Sequence, residues 1–166
     1  MSRATSAVSA TEHRGVSERP HPSGTPGSTD ERHRIVDMDD LTAADIARWL
    51  ELRASNSALD SPYFHPGFAG AVAATRPDVR VLIGEDALGN VTSFLPVQLD
   101  KKVCRPAGSP AADFQGPICA PGADFDIARA VSACGAPAYQ FDHLRDGIAG
   151  FERWTFGRVP TPSVFH

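Results

Sequence analysis

The most regular pattern in the chain is an alternation of apolar and polar residues that occurs twice between residues 79 and 99. Apolar residues recur with a period of two from 79 to 83 and again from 91 to 99, and the turn-forming stretch EDALGN separates the two runs. Two such runs joined by a short turn are typical of a β-hairpin. Pro96 lies in the second run and lacks the N–H that a strand donates to its neighbour, so we expect an edge strand or a β-bulge at that position.

Helical spacing of apolar residues marks the region before the hairpin. Thr42 is followed three residues later by Asp45, a pair that resembles a capping box and predicts a helix of about fourteen residues. The residues expected on its packing face are Ile46, Trp49, Leu50 and either Leu52 or Arg53. A second helix is predicted from 66 to 75, because Pro66 suits the first turn of a helix and Pro77 stops it.

The remaining elements are shorter. We predict strands at 34–38, 101–105 and 138–144, a helix at 124–134 that Gly135 closes, and a short helix at 147–154. In the last strand, Tyr139 and Phe141 are expected to share one side. Strands separated by helices, with a hairpin at the centre, predict an α+β fold: a mixed, largely antiparallel sheet with a central hairpin, flanked by helices.

Composition separates residues 1–33 from the rest of the 166-residue chain. This segment has no Phe, Trp or Tyr, so it cannot offset its chain entropy by burial and is predicted to be a disordered tail before a single domain at 34–166. The net charge of −4 and the lack of a basic stripe argue against a nucleic-acid partner. No apolar run is long enough for a membrane span, and the N-terminus lacks the apolar middle of a signal peptide, so we expect a cytoplasmic protein.

The stretch 104–118, CRPAGSPAADFQGPI, holds three prolines and two glycines, which exclude a long helix or a central strand. A loop of this length in a compact region is more often functional than idle. If Phe114 points inward in a locally extended piece, its neighbours Asp113 and Gln115 point outward and could line a substrate groove. The alternative is a proline-stiffened connection in which Phe114 fills the core.

A second candidate segment, SPYFH at 61–65, is rich in aromatic residues for a connector between helices. Tyr63 and Phe64 could pack two helices together, which is the usual use of aromatic side chains. The functional interpretation makes Tyr63 and His65 one wall of a substrate groove.

Cysteine chemistry has little support in the sequence. Cys104, Cys119 and Cys134 are far apart and form no CxxC pair, so we expect small buried side chains and no metal site. His143 follows Asp142, but adjacent strand residues point to opposite faces, so Asp142 does not orient His143 as in a catalytic triad. A hydrolase that uses Cys104 or Cys119 with His143 ranks third among our functional hypotheses.

Three blocks together give a family resemblance. A tryptophan-bearing helix followed by residues 61–86, then FLPVQ at 94–98, then RPAGSPAADFQGPI at 105–118, resembles the N-terminal half of GNAT-type acyltransferases of the FemAB-like, CelD-like class, which is linked with cellulose and other polysaccharide biosynthesis. The resemblance covers residues 34–150. It implies a GNAT-like fold and acyl transfer from acetyl-CoA or another acyl-CoA to an amine or hydroxyl of a small-molecule or glycan acceptor.

The resemblance also implies an incomplete enzyme. The chain stops near the midpoint of such a protein, and no segment resembles the Gln/Arg-x-x-Gly-x-Gly/Ala turn that holds the CoA pyrophosphate in GNAT domains. We therefore expect the acyl-CoA to bind the missing half and not this chain alone, with Asp113, Gln115, Tyr63 and His65 as candidate acceptor-binding residues and the catalytic base unassigned. The alternative is a non-catalytic binding or scaffolding module with a protein partner on an exposed apolar face.

Overall fold

The computed structural model of the chain describes residues 31–100 and 103–141. Its strands and helices, in chain order, are β1 (Arg32–Val36), α1 (Ala43–Ser55), α2 (Pro66–Ala73), β2 (Val79–Glu85), β3 (Val91–Leu99), β4 (Cys104–Pro106), β5 (Ile118–Cys119) and α3 (Ile127–Ala133). None of these helices is long and apolar enough to cross a membrane.

The five strands form one sheet in the order β1-β2-β3-β4, and β5 pairs with another part of β3. Each of these strand pairs is antiparallel. The predicted hairpin is β2–β3, and it lies at the centre of the sheet. One isolated parallel bridge joins Cys104 to Tyr139 and makes the pairing mixed. The α+β class and the largely antiparallel sheet with a central hairpin are confirmed.

The prediction for Pro96 is wrong. β3 is paired on both sides, and the register shift of the hairpin lies between Gly84 and Glu85. The N–H and C=O positions of one strand residue face the same neighbour, and the Pro96 carbonyl accepts from the Ala107 N–H at 3.0 Å, immediately after β4 ends. The missing N–H therefore faces the gap between β4 and β5, where a central strand tolerates a proline.

The start of α1 is as predicted. Thr42 Oγ1 accepts from the Asp45 N–H at 3.1 Å, and Asp45 Oδ2 accepts from the Thr42 N–H at 3.0 Å. Arg34 of β1 donates to Asp45 at 2.8 Å and to Glu85 of β2 at 2.7 Å. Burial raises the pKa of Asp45, but hydrogen bonds from Thr42 and the charge of Arg34 outweigh it and hold that pKa below its usual range. This network fixes the helix to the sheet.

The buried face of α1 differs from the predicted one by one position. Trp49 is fully buried, stacks on Phe94 with ring centroids 4.9 Å apart, and donates its indole N–H to the Phe64 carbonyl at 2.8 Å. Leu52 is buried, whereas Leu50 is 38% exposed, so its predicted place on the packing face is wrong. The reason is that Trp49 faces the sheet directly, which turns the next residue toward solvent.

The last helix is shorter than the predicted span of 124–134. Asp126 accepts from the N–H groups of Ala128 at 3.0 Å and Arg129 at 3.1 Å, so its carboxylate caps a helix that begins at Ile127. Gly135, with φ +66°, follows the helix as predicted. Ile127, 5% exposed, and Val131, 7% exposed, lie on the buried face of this helix, and Cys134 is half-buried.

The other predicted strands are shifted or outside the described residues. β1 begins at Arg32, two residues before the expected start, so residues 32 and 33, which composition assigned to the tail, belong to the sheet. The strand predicted at 101–105 corresponds to β4, Cys104–Pro106, and residues 101 and 102 lie outside the described residues. Of the strand predicted at 138–144, residues 138–141 lie in the described part, where Tyr139 forms a single bridge. Residues 1–30, residues 142–144 and the helix predicted at 147–154 lie outside it.

Two helices cover opposite faces of the sheet. Adjacent strand residues point to opposite faces, and Arg34 reaches Asp45 of α1 while His33 contacts the Phe125 ring, 6.5 Å between centroids. Phe125 leads directly into α3. The sheet is therefore enclosed between α1 on one side and the segment from Phe125 through α3 on the other.

Candidate functional site

The aromatic connector at 61–65 is held in a defined position by its own polar groups. Ser61 Oγ accepts from the Tyr63 N–H at 3.4 Å and begins a single 3-10 turn, Pro62–Phe64. Phe64 is buried, and its carbonyl receives the Trp49 indole N–H. Tyr63 is half-exposed beside it. The packing role is therefore confirmed for Phe64, whereas the role of Tyr63 in a substrate groove stays a prediction.

The loop between β4 and β5 is attached to the sheet and to α2. Gln98 of β3 is 5% exposed, and its Oε1 accepts from the Gly108 N–H at 2.7 Å. Gly108 has φ +86°, and a Cβ there would lie 2.7 Å from Cζ of Phe68. A glycine at this position is needed both for the backbone conformation and for the close approach of the Phe68 ring.

The connector and the loop meet through Tyr63. Its hydroxyl donates to Asp113 Oδ2 at 3.1 Å, and its ring lies 5.0 Å from that of Phe68 and 6.1 Å from that of Phe114, centroid to centroid. We call Tyr63, Phe68, Asp113 and Phe114 the loop surface. Of the four sequence candidates, the structure therefore brings together Tyr63 and Asp113.

The hydrogen bond to Asp113 also fixes the protonation of Tyr63. This bond raises the pKa of Tyr63, and the little burial at this position and the carboxylate charge add to the effect. Tyr63 therefore remains a phenol that donates a hydrogen bond at neutral pH, and it does not act as a base.

His65 serves the local fold. Its Nδ1 accepts from the Gly67 N–H at 3.0 Å and caps α2, whose first residue is Pro66, as predicted. The imidazole is exposed, and its Nε2 is left as the ring nitrogen that a ligand can reach. Since His65 makes this hydrogen bond within the start of its own helix, its place in the same groove as Tyr63 and Asp113 stays a prediction.

The expected orientation of Gln115 is wrong. Gln115 is 2% exposed, and its Nε2 donates to the Ala112 carbonyl at 3.0 Å. Phe114, expected to point inward, is only half-buried, although it does pack against the core. The chain bends at residues 113, 114 and 116, with a single bridge residue at 115, so the alternation of faces in an extended strand does not apply to it.

Two residues of the loop surface escaped the sequence analysis as site members. Phe68 falls within the predicted second helix and Phe114 is expected in the core, so the sequence singles out neither as a site residue. The signal that could have placed Phe68 is Gly108, because a glycine in a proline-rich loop often allows close approach of another side chain.

Two of the cysteines, Cys104 and Cys119, are poor nucleophiles in the described structure. Cys104 and Cys119 are buried. Burial, with a smaller effect of Glu31, raises the pKa of Cys119 to about 11. A hydrogen bond with Cys134, together with burial, raises the pKa of Cys104. Because the thiolate is the reactive form, a Cys/His hydrolase gains no support, and His143 lies outside the described residues.

An apolar groove lies between α3 and the segment that follows it. Its volume is about 480 Å³, and residues of both segments line it, including Ile127, Val131, Pro137, Tyr139 and Phe141. A protein partner on an exposed apolar face stays a prediction, and this groove is the place in the described structure where it would be sought.

No protein-family model, curated protein or solved structure significantly matches this chain. The geometry of the described residues therefore carries the functional conclusion together with the resemblance of the sequence blocks.

Proposed function

We propose that this chain is the acceptor-binding part of a GNAT-type acyltransferase, and that it holds a glycan-like acceptor on the loop surface. The observation that carries the proposal is the hydrogen bond between Tyr63 and Asp113. It joins the two segments, 61–86 and 105–118, on which the family resemblance rests most, although they are far apart in sequence.

The chemistry of the loop surface suits a polyhydroxylated ligand. An exposed carboxylate accepts hydrogen bonds from hydroxyl groups and attracts a protonated amine, and Asp113 is exposed. The rings of Tyr63 and Phe114 are half-exposed beside it and offer apolar area to the C–H face of a sugar. A few polar groups beside aromatic rings are the usual composition of a small-molecule site.

The described residues do not fit the CoA part of the reaction. A pyrophosphate binds where a helix start presents free N–H groups. In the described part of the chain, the Thr42–Asp45 capping box occupies the start of α1, His65 and Pro66 that of α2, and the Asp126 carboxylate that of α3. We therefore assign acyl-CoA binding to a part of the enzyme other than these residues, and we derive no transfer step here.

The test is a calorimetric titration of the full chain with a glucosamine tetramer, whose free amines can accept an acyl group, and with its fully N-acetylated form. We expect saturable binding of the amine form, weakened at least about fivefold in Asp113→Asn because the charge-assisted contact is lost. Asp39→Asn, at another exposed aspartate, is the matched control and should bind as the wild type does.

Two results would overturn the proposal: no binding of either tetramer to the wild type, or equal binding by Asp113→Asn. Saturable binding of acetyl-CoA in a parallel titration would contradict the assignment of the cofactor to another part of the enzyme.

The second candidate is a non-catalytic glycan-binding module that uses the same loop surface. The capped helix starts favour it, because they leave the described residues without a cofactor site. The tetramer pair separates the candidates: an acceptor site should bind the free amine more tightly than the acylated form, whereas a binding module has no reason to prefer the form that can still accept an acyl group.

A further inference from the structure

Two of the three cysteines, which lie far apart in sequence, meet beside the sheet. Cys104 is the first residue of β4, and Cys134 follows directly after α3. Both are free thiols, and a hydrogen bond joins their side chains. A hydrogen bond between thiols brings the two sulfur atoms into contact, and a disulfide shortens their separation to about 2 Å. The pair is therefore close to the arrangement that a disulfide needs.

The backbone holds the two residues together. Gly135, with φ +66°, turns the chain back after α3. The returning segment pairs with β4: the Cys104 N–H donates to the Ala138 carbonyl at 2.8 Å, and the Gln140 N–H donates to the Cys104 carbonyl at 2.9 Å. Because the returning segment is bound to Cys104 within a few residues of Cys134, the fold itself keeps the two thiols near each other.

The two thiols differ in their surroundings. Cys104 belongs to the buried core, whereas Cys134 is half-buried between exposed neighbours. The hydrogen bond with Cys104 lowers the pKa of Cys134, because a donated proton stabilises the thiolate, although burial opposes this effect. The same bond and burial raise the pKa of Cys104. Cys134 is therefore the thiol that a small oxidant reaches as a thiolate, and Cys104 is the protonated thiol beside it.

We propose that Cys104 and Cys134 form a reversible oxidation site, at which hydrogen peroxide converts the two thiols into a disulfide. In the first step, Cys134 Sγ attacks one peroxide oxygen and becomes a sulfenic acid, while the O–O bond breaks and the other oxygen leaves as water with the proton that Cys134 gave up. In the second step, Cys104 Sγ attacks Cys134 Sγ, the S–O bond breaks, and the hydroxyl group leaves with the Cys104 proton as water. Two thiols together lose two electrons and two protons, and one hydrogen peroxide is reduced to two waters.

The disulfide links β4 covalently to the end of α3. Ser132 and Ala136, on either side of Cys134, line the apolar groove beside this helix. Oxidation therefore fixes one wall of the groove to the sheet, and a thiol reductant releases it. The oxidation site is separate from the loop surface and does not depend on the proposed acyltransferase function.

The experiment is peptide mapping by mass spectrometry after the full chain has been treated with a few equivalents of hydrogen peroxide. We expect a loss of two hydrogen masses, a disulfide between Cys104 and Cys134 as the main product, and its reversal by dithiothreitol. The same treatment in urea is the matched control. An unfolded chain closes short loops most readily, so pairs that include Cys119, which lies between the other two in sequence, should then predominate.

Three variants separate the roles of the thiols. In Cys104→Ala, Cys134 should stop at the sulfenic acid, which a dimedone probe labels. In Cys134→Ala, Cys104 should lose its thiol at least about tenfold more slowly, because it is buried and protonated. Cys119→Ala is the control and should form the disulfide as the wild type does.

Hydrogen exchange measures the effect on the groove wall. The Gly135 N–H donates to the Ser132 carbonyl at 2.9 Å at the end of α3, and its exchange should slow after oxidation. Unchanged exchange would contradict the fixing of the groove wall by the disulfide.

Three results would overturn the proposed oxidation site: no disulfide between Cys104 and Cys134 in the folded wild type, pairs with Cys119 as abundant there as in urea, or oxidation of Cys104 in Cys134→Ala at the wild-type rate. If an alanine variant does not fold, the mapping of the wild type with and without urea decides alone.

Discussion

The loop surface and a polar row formed by Glu31, His33 and Ser93 across the edge of the sheet satisfy their polar atoms in different ways. Asp113 is exposed, so water completes its hydrogen bonding whether or not a ligand is present. His33 and Ser93 are removed from water, so each of their polar atoms depends on a protein or ligand partner. A polar group at the surface can exchange a protein partner for water, whereas a buried one loses stability when its partner is removed.

The largest expected effect on the free energy of unfolding is at Gly84, which adjoins the polar row. Gly84→Ala places a Cβ against Ser93 and Glu31, and both must move, so we expect the free energy of unfolding to fall by about 2 kcal/mol. Urea denaturation followed by circular dichroism measures it. Gly70→Ala, within α2, is the matched control. The new Cβ would contact Met38 Cε at 3.8 Å, and the substitution should stabilise the protein by up to about 1 kcal/mol through helix propensity. Equal stability of Gly84→Ala and the wild type would show that the row is loosely packed.

A smaller effect is expected at the glycine of the loop surface. Gly108→Ala introduces a side chain at φ +86° and against the Phe68 ring, which can partly turn away, so we expect a loss of about 1–2 kcal/mol. Gly89→Ala separates the two causes, because it has φ +82° and nothing within 4 Å of its Cβ. If Gly108→Ala costs no more than Gly89→Ala, the contact with Phe68 contributes nothing.

The pH dependence of the free energy of unfolding tests whether His33 behaves as a buried group. Burial lowers the pKa of His33 below 6.5, although Glu31 and Asp126 oppose this, while Arg129 adds to it. The unfolded chain therefore binds more protons than the folded one as the pH falls below about 6.5, and the free energy of unfolding decreases there. His33→Gln should remove this part of the slope in denaturation curves at successive pH values. A slope that is unchanged in His33→Gln would show that His33 does not titrate as a buried group.

A second loss of stability should follow at lower pH. The pKa of Asp45 is held below 3.8, so its contribution is present above that value and is lost as the pH falls through the lowered pKa. The two groups therefore act in separate pH ranges, and the His33 variant should leave the lower range unchanged.

The smallest effect on stability is expected at the loop surface itself. Tyr63→Phe removes a hydrogen bond between exposed groups, which water replaces, so the unfolding midpoint should not change measurably. Binding of the glucosamine tetramer should still weaken, because Asp113 loses the hydroxyl that positions it. A large loss of stability in Tyr63→Phe would mean that the hydrogen bond serves the fold and not a ligand.

Much of the fold could be predicted because it depends on local chemistry. The alternation around residues 79–99 gave the central hairpin, and the pair Thr42–Asp45 gave the start of α1. The loop surface was partly predictable: Tyr63 followed from the aromatic-rich connector and Asp113 from the expected alternation around Phe114, but that same alternation placed Gln115 on the wrong side. Its turns depend on prolines and glycines whose combined path no periodicity describes.

The contacts of Glu31 with His33, Thr92 and Ser93 could not be predicted from the sequence. Glu31 and His33 end a segment without Phe, Trp or Tyr, so composition assigned them to a tail, and their burial arises only when β1 pairs with β2. Thr92 and Ser93 reach the same carboxylate only because a β-bulge shifts the register by one residue. The sequence by itself determined the central hairpin and the starts of α1 and α2, because neighbours along the chain decide hydrogen bonding within a turn or capping box. The tertiary structure alone decided which polar groups share a buried space, because residues 31, 92 and 119 meet only through strand pairing over long distances in sequence.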